Sequence, residues 1–410
     1  MRLAEVFRQA VGGDATVRFS AYDGSSAGPS DADVSVEVRS PEALSYLASA
    51  PGELGLARAY VTGHLEVVGD LYAALGHLSV LSLSAVSWAN RVDLLRVVGR
   101  QLLSSRVEIP KQERRLRGLR HSKTRDQAAI AHHYDVSNTF YEYVLGSSMA
   151  YTCAVYPTET STLEEAQHAK HDLVARKLAL KPGMRLLDVG CGWGGMVMHA
   201  AREYGVRALG VTLSRNQAEW ARKAIVAAGL SDLAEVRHLD YRDVRESRFD
   251  AISSIGLAEH IGKAKLPGYF RFLARKLRPG GRMLNHCITR SGNRERARTG
   301  RFIDRYVFPD GELVGPGHIV SVMSDNGFEV RHEENLREHY ALTLAAWGEN
   351  LEERWDDAVS EVGTARARVW RLYMAASRLG FERNAVQLHQ VLGVRLDGSS
   401  SRMPLRPDWR

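Results

Sequence analysis

The chain has 410 residues, of which 44% are hydrophobic and 25% are charged, and its net charge is +7. This length accommodates two domains, and the composition is ordinary for a soluble globular protein with a large core. The cysteines Cys153, Cys191 and Cys287 match no zinc spacing, so no metal site is predicted. They also argue against a disulfide framework, which favours a reducing, cytoplasmic compartment.

Residues 1–120 are predicted to form a smaller N-terminal α+β domain. The chain begins with an amphipathic helix that lacks the apolar core of a signal peptide, and alternation within Thr16–Arg39 predicts strands. Ser40–Leu81 is more helical in character. Leu71–Trp88 is too short and too interrupted by polar residues for a membrane span, so we expect a packed or interfacial helix. No catalytic motif occurs here, and a docking role is expected.

The stretch Arg91–Arg125 is rich in arginine and lysine and poor in acids. Such a run is often a solvated helix and linker, but it also suits an anionic partner such as lipid headgroups or nucleic acid. Leucine and valine pairs recur beside the arginines at helical spacing, a pattern that suits a bilayer surface better than a duplex. We therefore predict contact with an anionic membrane surface.

Residues 121–410 are predicted to form the catalytic domain, because strands and helices alternate there. The predicted strands are Arg185–Val189, Arg207–Thr212, Ala234–Leu239, Phe249–Ser254 and Arg282–Thr289, with late strands at Phe328–Leu336 and Ala385–Leu396. One predicted helix follows the first strand and ends at Tyr204. The others cover Arg215–Ala228, Lys265–Leu277 and much of Tyr340–Gly380. This order predicts a parallel sheet with helices on both faces, the last strand being antiparallel.

A glycine-rich turn follows the first of these strands. Leu186, Leu187 and Val189 form a buried-type apolar run that Asp188 interrupts, and glycines follow at 190, 192 and 194. The pattern G-x-G-x-x-G alone would also fit a dinucleotide, but that fold expects an acid after the second strand, where Thr212–Gln217 has none. An acid before the first glycine resembles motif I of S-adenosylmethionine (SAM) methyltransferases, so SAM is favoured over NAD.

Several polar residues fall at or near the carboxyl ends of the strands, where such sheets bind ligands. Glu259 follows the fourth strand, His286 lies in the fifth, and Cys153 lies upstream of the first. Each alone has a structural explanation, as a capping neighbour, a core histidine and a small buried residue. The chain has no G-x-S-x-G, which disfavours a hydrolase, and no Asn-Pro-Pro-Tyr segment, which disfavours methylation of nucleic-acid bases.

Together the motifs resemble one family, the cyclopropane-fatty-acyl-phospholipid synthases, which include the mycolic acid cyclopropane synthases. The resemblance covers about residues 120–395 and rests on segments in the family's order: His133–Asn138, Met149–Ala154, Val189–Gly194, Thr212–Gln217, Asp240–Asp243, Glu259–Gly262 and His339–Leu344. Tyr60–Glu66 resembles the family's N-terminal domain. With Ala21–Ser25, it is most similar to an actinobacterial branch that makes 10-methylene or 10-methyl fatty acids.

The resemblance implies an α/β fold with a Rossmann-like, doubly wound SAM-methyltransferase sheet, and it implies two sets of site residues. The residues it assigns to SAM are Tyr151, Thr152, Asp188, Gly190, Gly192, Gly194, Thr212, Leu213, Ser214, Gln217, Tyr241 and Arg242. Those it places around a bicarbonate ion are Cys153, Glu259, His286, Ile288 through its backbone, and Tyr340. Two departures are Thr152 in place of serine and Leu342 where many relatives have arginine.

The implied reaction is SAM-dependent methylation of a cis double bond in a phospholipid acyl chain. The resulting carbocation requires a dry site and a general base, for which bicarbonate is our hypothesis. Loss of a proton gives a cyclopropane or, after a hydride shift, a methylene group, whose reduction would need a separate reductase. We expect a cytoplasmic, peripherally membrane-associated enzyme that binds no nucleic acid, with a homodimer left open. The alternatives are a soluble small-molecule or sterol methyltransferase, a non-catalytic membrane module, and a tRNA or DNA methyltransferase.

Overall fold

The computed structural model describes residues 2–11, 16–78, 108–114, 120–123, 125, 126 and 137–409. Most of the basic stretch and most of the motif at 133–138 lie outside the described residues. The chain forms two compact units: Met1–Arg115 with Gly300–Pro309 and Trp355–Leu379, and Leu116–Thr299 with Asp310–Arg354 and Gly380–Arg410. The roles predicted for 1–120 and 121–410 stay predictions. In the structure, two later segments belong to the same compact unit as the N-terminal residues.

The described residues contain helices and strands throughout both units. The helices are α1 Leu3–Val11, α2 Glu42–Ser49, α3 Glu53–Val61, α4 Leu71–Leu78, α5 Asn138–Leu145, α6 Leu163–Leu178, α7 Gly195–Tyr204, α8 Arg215–Ala227, α9 Ala258–Ile261, α10 Leu266–Lys276, α11 Pro316–Asp325, α12 Arg337–Glu353, α13 Trp355–Val362 and α14 Thr364–Glu382. The strands are β1 Arg18–Ala21, β2 Ser26–Ala27, β3 Ser35–Val38, β4 Leu65–Val68, β5 Arg185–Val189, β6 Arg207–Thr212, β7 Ala234–His238, β8 Phe249–Ile255, β9 Leu277–Arg290, β10 Glu329–Asn335 and β11 Val386–Val394.

The first unit contains a four-stranded sheet in the order β2-β1-β3-β4. Its apolar face is made by alternate residues such as Phe19, Val36 and Val38, as the alternation in the sequence predicted. The mixed α+β character expected of this region is confirmed. Strand β4 was missed, because the sequence around it was interpreted as helical.

Charged contacts stabilise the first unit between residues far apart in sequence. Arg58 and Glu113 are both buried and form a two-pronged ion pair, with N···O distances of 2.7 and 2.9 Å. Arg368 of α14 donates from Nη1 to the Tyr60 carbonyl at 2.9 Å and pairs with Glu66. These contacts explain why the segment 355–379 belongs to this unit, which hydrophobic periodicity alone could not reveal.

The second unit contains a seven-stranded sheet in the order β10-β11-β9-β8-β5-β6-β7. The strands from β9 to β7 pair in parallel, and β11 pairs antiparallel with both β9 and β10. Leu186, Leu187 and Val189 are fully buried, as expected of a strand covered by helices on both faces. The predicted doubly wound α/β sheet and the antiparallel last strand are therefore confirmed.

Two details differ from the prediction. Strand β9 begins at Leu277, where it pairs with Phe249, rather than at Arg282. The stretch predicted as one long helical segment, Tyr340–Gly380, is broken near Arg354 and again at Gly363, whose φ of 79° is readily adopted by glycine. Among the described residues, no helix is long and apolar enough to cross a bilayer.

Candidate active site

The glycine turn after β5 lies at the edge of the sheet where ligands bind in this architecture. Gly190 and Gly192 have φ values of 76° and 55°, a conformation that side chains with a Cβ rarely adopt. A Cβ on Gly190 would lie 3.2 Å from Leu257, whereas one on Gly192 would meet nothing within 4 Å. The turn leads directly into α7. Its Gly190 and Cys191 amides donate to the Val211 carbonyl at 2.9 and 3.0 Å, which ties the turn to β6.

Asp188, the acid before the first glycine, is buried and accepts a 2.6 Å hydrogen bond from Ser253 Oγ. Burial raises its pKa to about 6, against the lowering effects of that hydrogen bond and of the nearby Lys170 ammonium. The carboxylate therefore lies at the floor of the turn, with the Ser253 hydroxyl as its one hydrogen-bond donor among the described residues. It is available to a ligand that brings a further donor.

A cavity opens above this turn, and it is lined by most of the residues predicted to bind SAM. Those residues are Tyr151, Thr152, Asp188, Gly190, Gly192, Thr212, Leu213, Gln217, Tyr241 and Arg242. The other two stand at the starts of helices. Gly194 precedes α7, and Ser214 caps α8 by accepting a hydrogen bond from the Gln217 N–H at 3.2 Å. Which of them contact the cofactor stays a prediction, but the structure brings them to one place.

The far side of the cavity is ordered by hydrogen bonds among its own residues. Thr212 Oγ1 donates to Gln217 Oε1 at 2.8 Å, and no residue in the described part of the chain accepts from the Gln217 NH₂. Arg242 is already paired with Asp240, at 2.8 and 2.6 Å, and with Asp126 at 3.2 Å. The Arg242 guanidinium also lies 5.5 Å from the centroid of the Tyr241 ring.

Lys170 is a cavity residue that the sequence interpretation missed. It is only 1% exposed, and its Nζ donates to Thr152 Oγ1 at 3.0 Å. In the described part of the chain, no carboxylate lies within ion-pairing distance of it. Burial lowers its pKa to about 8, although nearby Cys153 and Asp188 act in the opposite direction. A clue existed in the sequence, since Lys170 and Lys177 both fall on the apolar face of α6.

Glu259 and Ile288, predicted around the anion, are in direct contact. Glu259 Oε1 accepts from the Ile288 backbone N–H at 2.7 Å, so the amide expected to face an anion is engaged by the carboxyl group. Glu259 is half-buried as a residue, but its Oε2 atom is buried and has no partner among the described residues. Burial raises the pKa of this carboxyl to about 7.

His286 lies two residues before Ile288 on the same face of β9. Its Nδ1 is 3.2 Å from Gln390 Nε2, and its buried Nε2 has no partner in the residues that the structure describes. Burial, together with the cations Lys170 and Lys177, holds its pKa well below the usual range. The imidazole is therefore neutral at physiological pH.

Cys153 and Tyr340 lie in the same unit, and Tyr340 belongs to a group of packed aromatic rings, the Tyr340 wall, with Trp347 and Tyr151. The Cys153 thiol is fully buried, and its hydrogen bonds within the described residues go to the carbonyls of Ala154 and Leu336. Burial raises its pKa far above the usual range, which argues against a thiolate nucleophile. The ring centroids of Tyr340 and Trp347 are 6.1 Å apart, and those of Trp347 and the cavity residue Tyr151 are 5.2 Å apart. These contacts link the Tyr340 wall to the cavity.

The sequence is similar to those of known proteins. The family model described as mycolic acid cyclopropane synthetase matches residues 121–391. A probable fatty acid methyltransferase from Mycobacterium tuberculosis is 55% identical over 97% of this chain and 96% of its own length. The cyclopropane-fatty-acyl-phospholipid synthase of Escherichia coli is 34% identical over 66% of this chain and 69% of its own length.

A solved structure agrees with these matches. The mycolic acid cyclopropane synthase CmaA1, complexed with SAH and CTAB, superposes with a TM-score of 0.62 and 32% identity, over 65% of this chain and 97% of that one. The family resemblance predicted from the motifs is thus confirmed. The chain belongs to the mycolic acid cyclopropane synthetase family of SAM-dependent methyltransferases.

Proposed function

We propose that this protein transfers the methyl group of SAM to the cis double bond of a phospholipid acyl chain and forms a cyclopropane or a methylene product. The observation that carries the proposal is the burial of incompletely partnered Glu259 and His286 in the unit that carries the cavity. Methylation of a double bond needs a group that accepts a proton from the cation formed, and these two side chains could hold one. Relatives named as a probable fatty acid methyltransferase and a cyclopropane-fatty-acyl-phospholipid synthase support this substrate class.

The residues around the cavity fit SAM. Gly190 and Gly192 allow close approach of a ligand to the backbone. On the side predicted for the ribose and adenine, Gln217 offers an amide NH₂ that has no acceptor among the described residues. Lys170 and Thr152 would bind the carboxylate of the methionine end, because a buried cation without an anionic partner is stabilised by one. When bound, SAM supplies an electrophilic methyl group on a sulfonium.

The second set of residues fits a small oxyanion. His286 Nε2 and Glu259 Oε2 are both buried and unpartnered in the described chain, and they would bind bicarbonate, which supplies a general base. The Ile288 N–H, which now donates to Glu259, would then donate to the anion as well or instead. Tyr340, Trp347 and Tyr151 exclude water from this region, and their ring faces stabilise a cation formed on the acyl chain.

We also infer that the protein acts as a peripheral protein at the cytoplasmic face of an anionic membrane. The basic stretch Arg91–Arg125, with its leucine and valine pairs, supports this inference. A methylene product would pass to a separate reductase, because the sequence carries no recognisable nicotinamide or flavin motif. The competing candidate is a soluble or sterol substrate, which would make the basic stretch a solvated linker.

Expression in a bacterial host supplied with oleate tests the substrate class. We expect phospholipid acyl chains that gain one CH₂ unit by mass spectrometry, with ring and methylene isomers resolved by fragmentation. A Gly192→Val variant, whose side chain would project from the glycine turn, is the matched control and should leave the acyl chains unchanged. Unmodified acyl chains in cells that contain a folded, SAM-binding wild-type protein would contradict the proposal and favour a soluble substrate.

Substitution of Lys170 tests the cofactor site. We expect Lys170→Met to raise the Kd for SAM about tenfold, since a charge-assisted hydrogen bond is worth about 1.5–3 kcal/mol and tenfold is about 1.4 kcal/mol. Isothermal titration calorimetry measures the change. Lys223→Met, at an exposed lysine of α8, is the charge-matched control. An unchanged or tighter Kd in the Lys170 variant would show that this ammonium does not pair with SAM.

Glu259 should make stability depend on pH. Its folded-state pKa of about 7 lies above the ordinary 4.5, so the neutral carboxyl's contribution is fully present below pH 4.5 and is lost as the pH rises through 7. We expect Glu259→Gln to gain stability relative to wild type between pH 5 and pH 8, by on the order of 2 kcal/mol. Urea unfolding in bicarbonate-free buffer measures it, with exposed Glu219→Gln as the control. Equal differences at both pH values would refute the assigned shift.

A further inference from the structure

A row of hydrogen-bonding side chains crosses the sheet behind the candidate anion site. Strand register places Glu334 of β10 opposite Gln390 of β11, and Gln390 opposite His286 of β9. Lys177 of α6 packs against this row with a fully buried side chain. Its Nζ forms an ion pair with Glu334 and donates to Gln390 Oε1 at 2.7 Å. Gln390 Nε2 in turn lies 3.2 Å from His286 Nδ1.

The chemistry of these groups fixes the direction of every hydrogen bond. An ammonium has three donors and no acceptor, so the atom of Gln390 that faces Lys177 must be the carbonyl oxygen. The NH₂ of Gln390 therefore faces His286 and donates, and Nδ1 must accept. A neutral imidazole that accepts at Nδ1 carries its proton on Nε2. That Nε2 is buried and unpartnered within the described part of the chain.

We propose that Lys177 and Gln390 are positioning residues that fix His286 in the Nε2–H tautomer, so that His286 donates a hydrogen bond to the bound anion and is not the general base. The identity of that anion as bicarbonate rests on the function proposed above. Burial keeps the imidazole uncharged, so Nε2 is a donor and has no lone pair to accept a proton. Proton removal from the acyl chain therefore falls to the anion itself.

The contacts of Lys177 have a consequence for the orientation of Gln390. Burying a lysine costs free energy, and Lys177 recovers part of it through Glu334 and Gln390. Lys177 makes the Gln390 amide directional, since without an obligate donor at Oε1 the amide could rotate and present its oxygen to Nδ1. The imidazole would then protonate at Nδ1 and present a lone pair at Nε2, which would repel an anion.

The tautomer can be read directly by NMR on the full chain labelled with ¹⁵N-histidine, without SAM, lipid or bicarbonate. Long-range ¹H–¹⁵N correlation distinguishes a protonated from an unprotonated ring nitrogen, and loss of one spin system in His286→Phe assigns the signal. We expect an unprotonated Nδ1 and a protonated Nε2 for His286 in wild type. A protonated Nδ1 would overturn the proposal whatever any variant does.

Two variants and a control test the role of Gln390. Gln390→Glu places a carboxylate at Nδ1 and should move the proton there, and Gln390→Met should leave a mixture of tautomers. Gln387→Met alters a glutamine of the same strand that bonds to Asn384, and it should leave the His286 signal unchanged. Retention of the wild-type tautomer in folded Gln390→Glu or Gln390→Met would contradict the role. Thermal unfolding identifies a variant that fails to fold.

A kinetic measurement links the tautomer to the anion. In Gln390→Met we expect the bicarbonate concentration for half-maximal activity to rise about tenfold, as for loss of one hydrogen bond to a charged group, with KM for SAM unchanged. Equal effects on both constants would indicate general disruption and count against the proposal. Because the NMR result needs no turnover, a protein inactive on oleoyl lipids would refute the proposed function and leave the tautomer assignment to stand or fall separately.

Discussion

Lys170 lines the cavity, and Glu259 and His286 lie elsewhere in the same unit with buried polar atoms that have no partner among the described residues. The free energy of burying such groups is the constraint on which the site depends. Water would satisfy Lys170, Glu259 and His286, but the structure buries them, wholly or at their polar atoms. Burial lowers the pKa of Lys170 and His286 and raises that of Glu259, and each shift favours the uncharged form of the group. A ligand that supplies the missing charges and hydrogen bonds recovers that free energy, so the same burial that weakens the fold strengthens binding.

The sheet gives this arrangement its geometry. Parallel strands bring the glycine turn and Glu259 to one edge, which is general for doubly wound folds. Antiparallel β11 flanks β9 on the side away from β8, and it places Gln390 opposite His286. Helix α6 carries both Lys170 and Lys177, so one helix contributes a cation to the cofactor cavity and another to the row behind His286.

Local signals made much of this visible in the sequence. The glycine turn, the buried strand β5 and the alternation of strands and helices are encoded within a few residues of each other, and the structure confirms them. Lys170, Lys177 and Gln390 were missed because their roles come from packing between distant segments, which a charge on a helix does not reveal. The engagement of the Ile288 N–H by Glu259 could not be predicted either, since it depends on how α9 approaches β9.

The central claim is that a bound anion, and not a side chain, accepts the proton that the acyl chain loses. The most direct measurement is turnover of the wild-type protein on vesicles of an oleoyl phospholipid with SAM, in degassed buffer with and without added bicarbonate. Our account predicts very low turnover without bicarbonate and a saturable rise when it is added, at unchanged affinity for SAM. Equal turnover in the two buffers would contradict it.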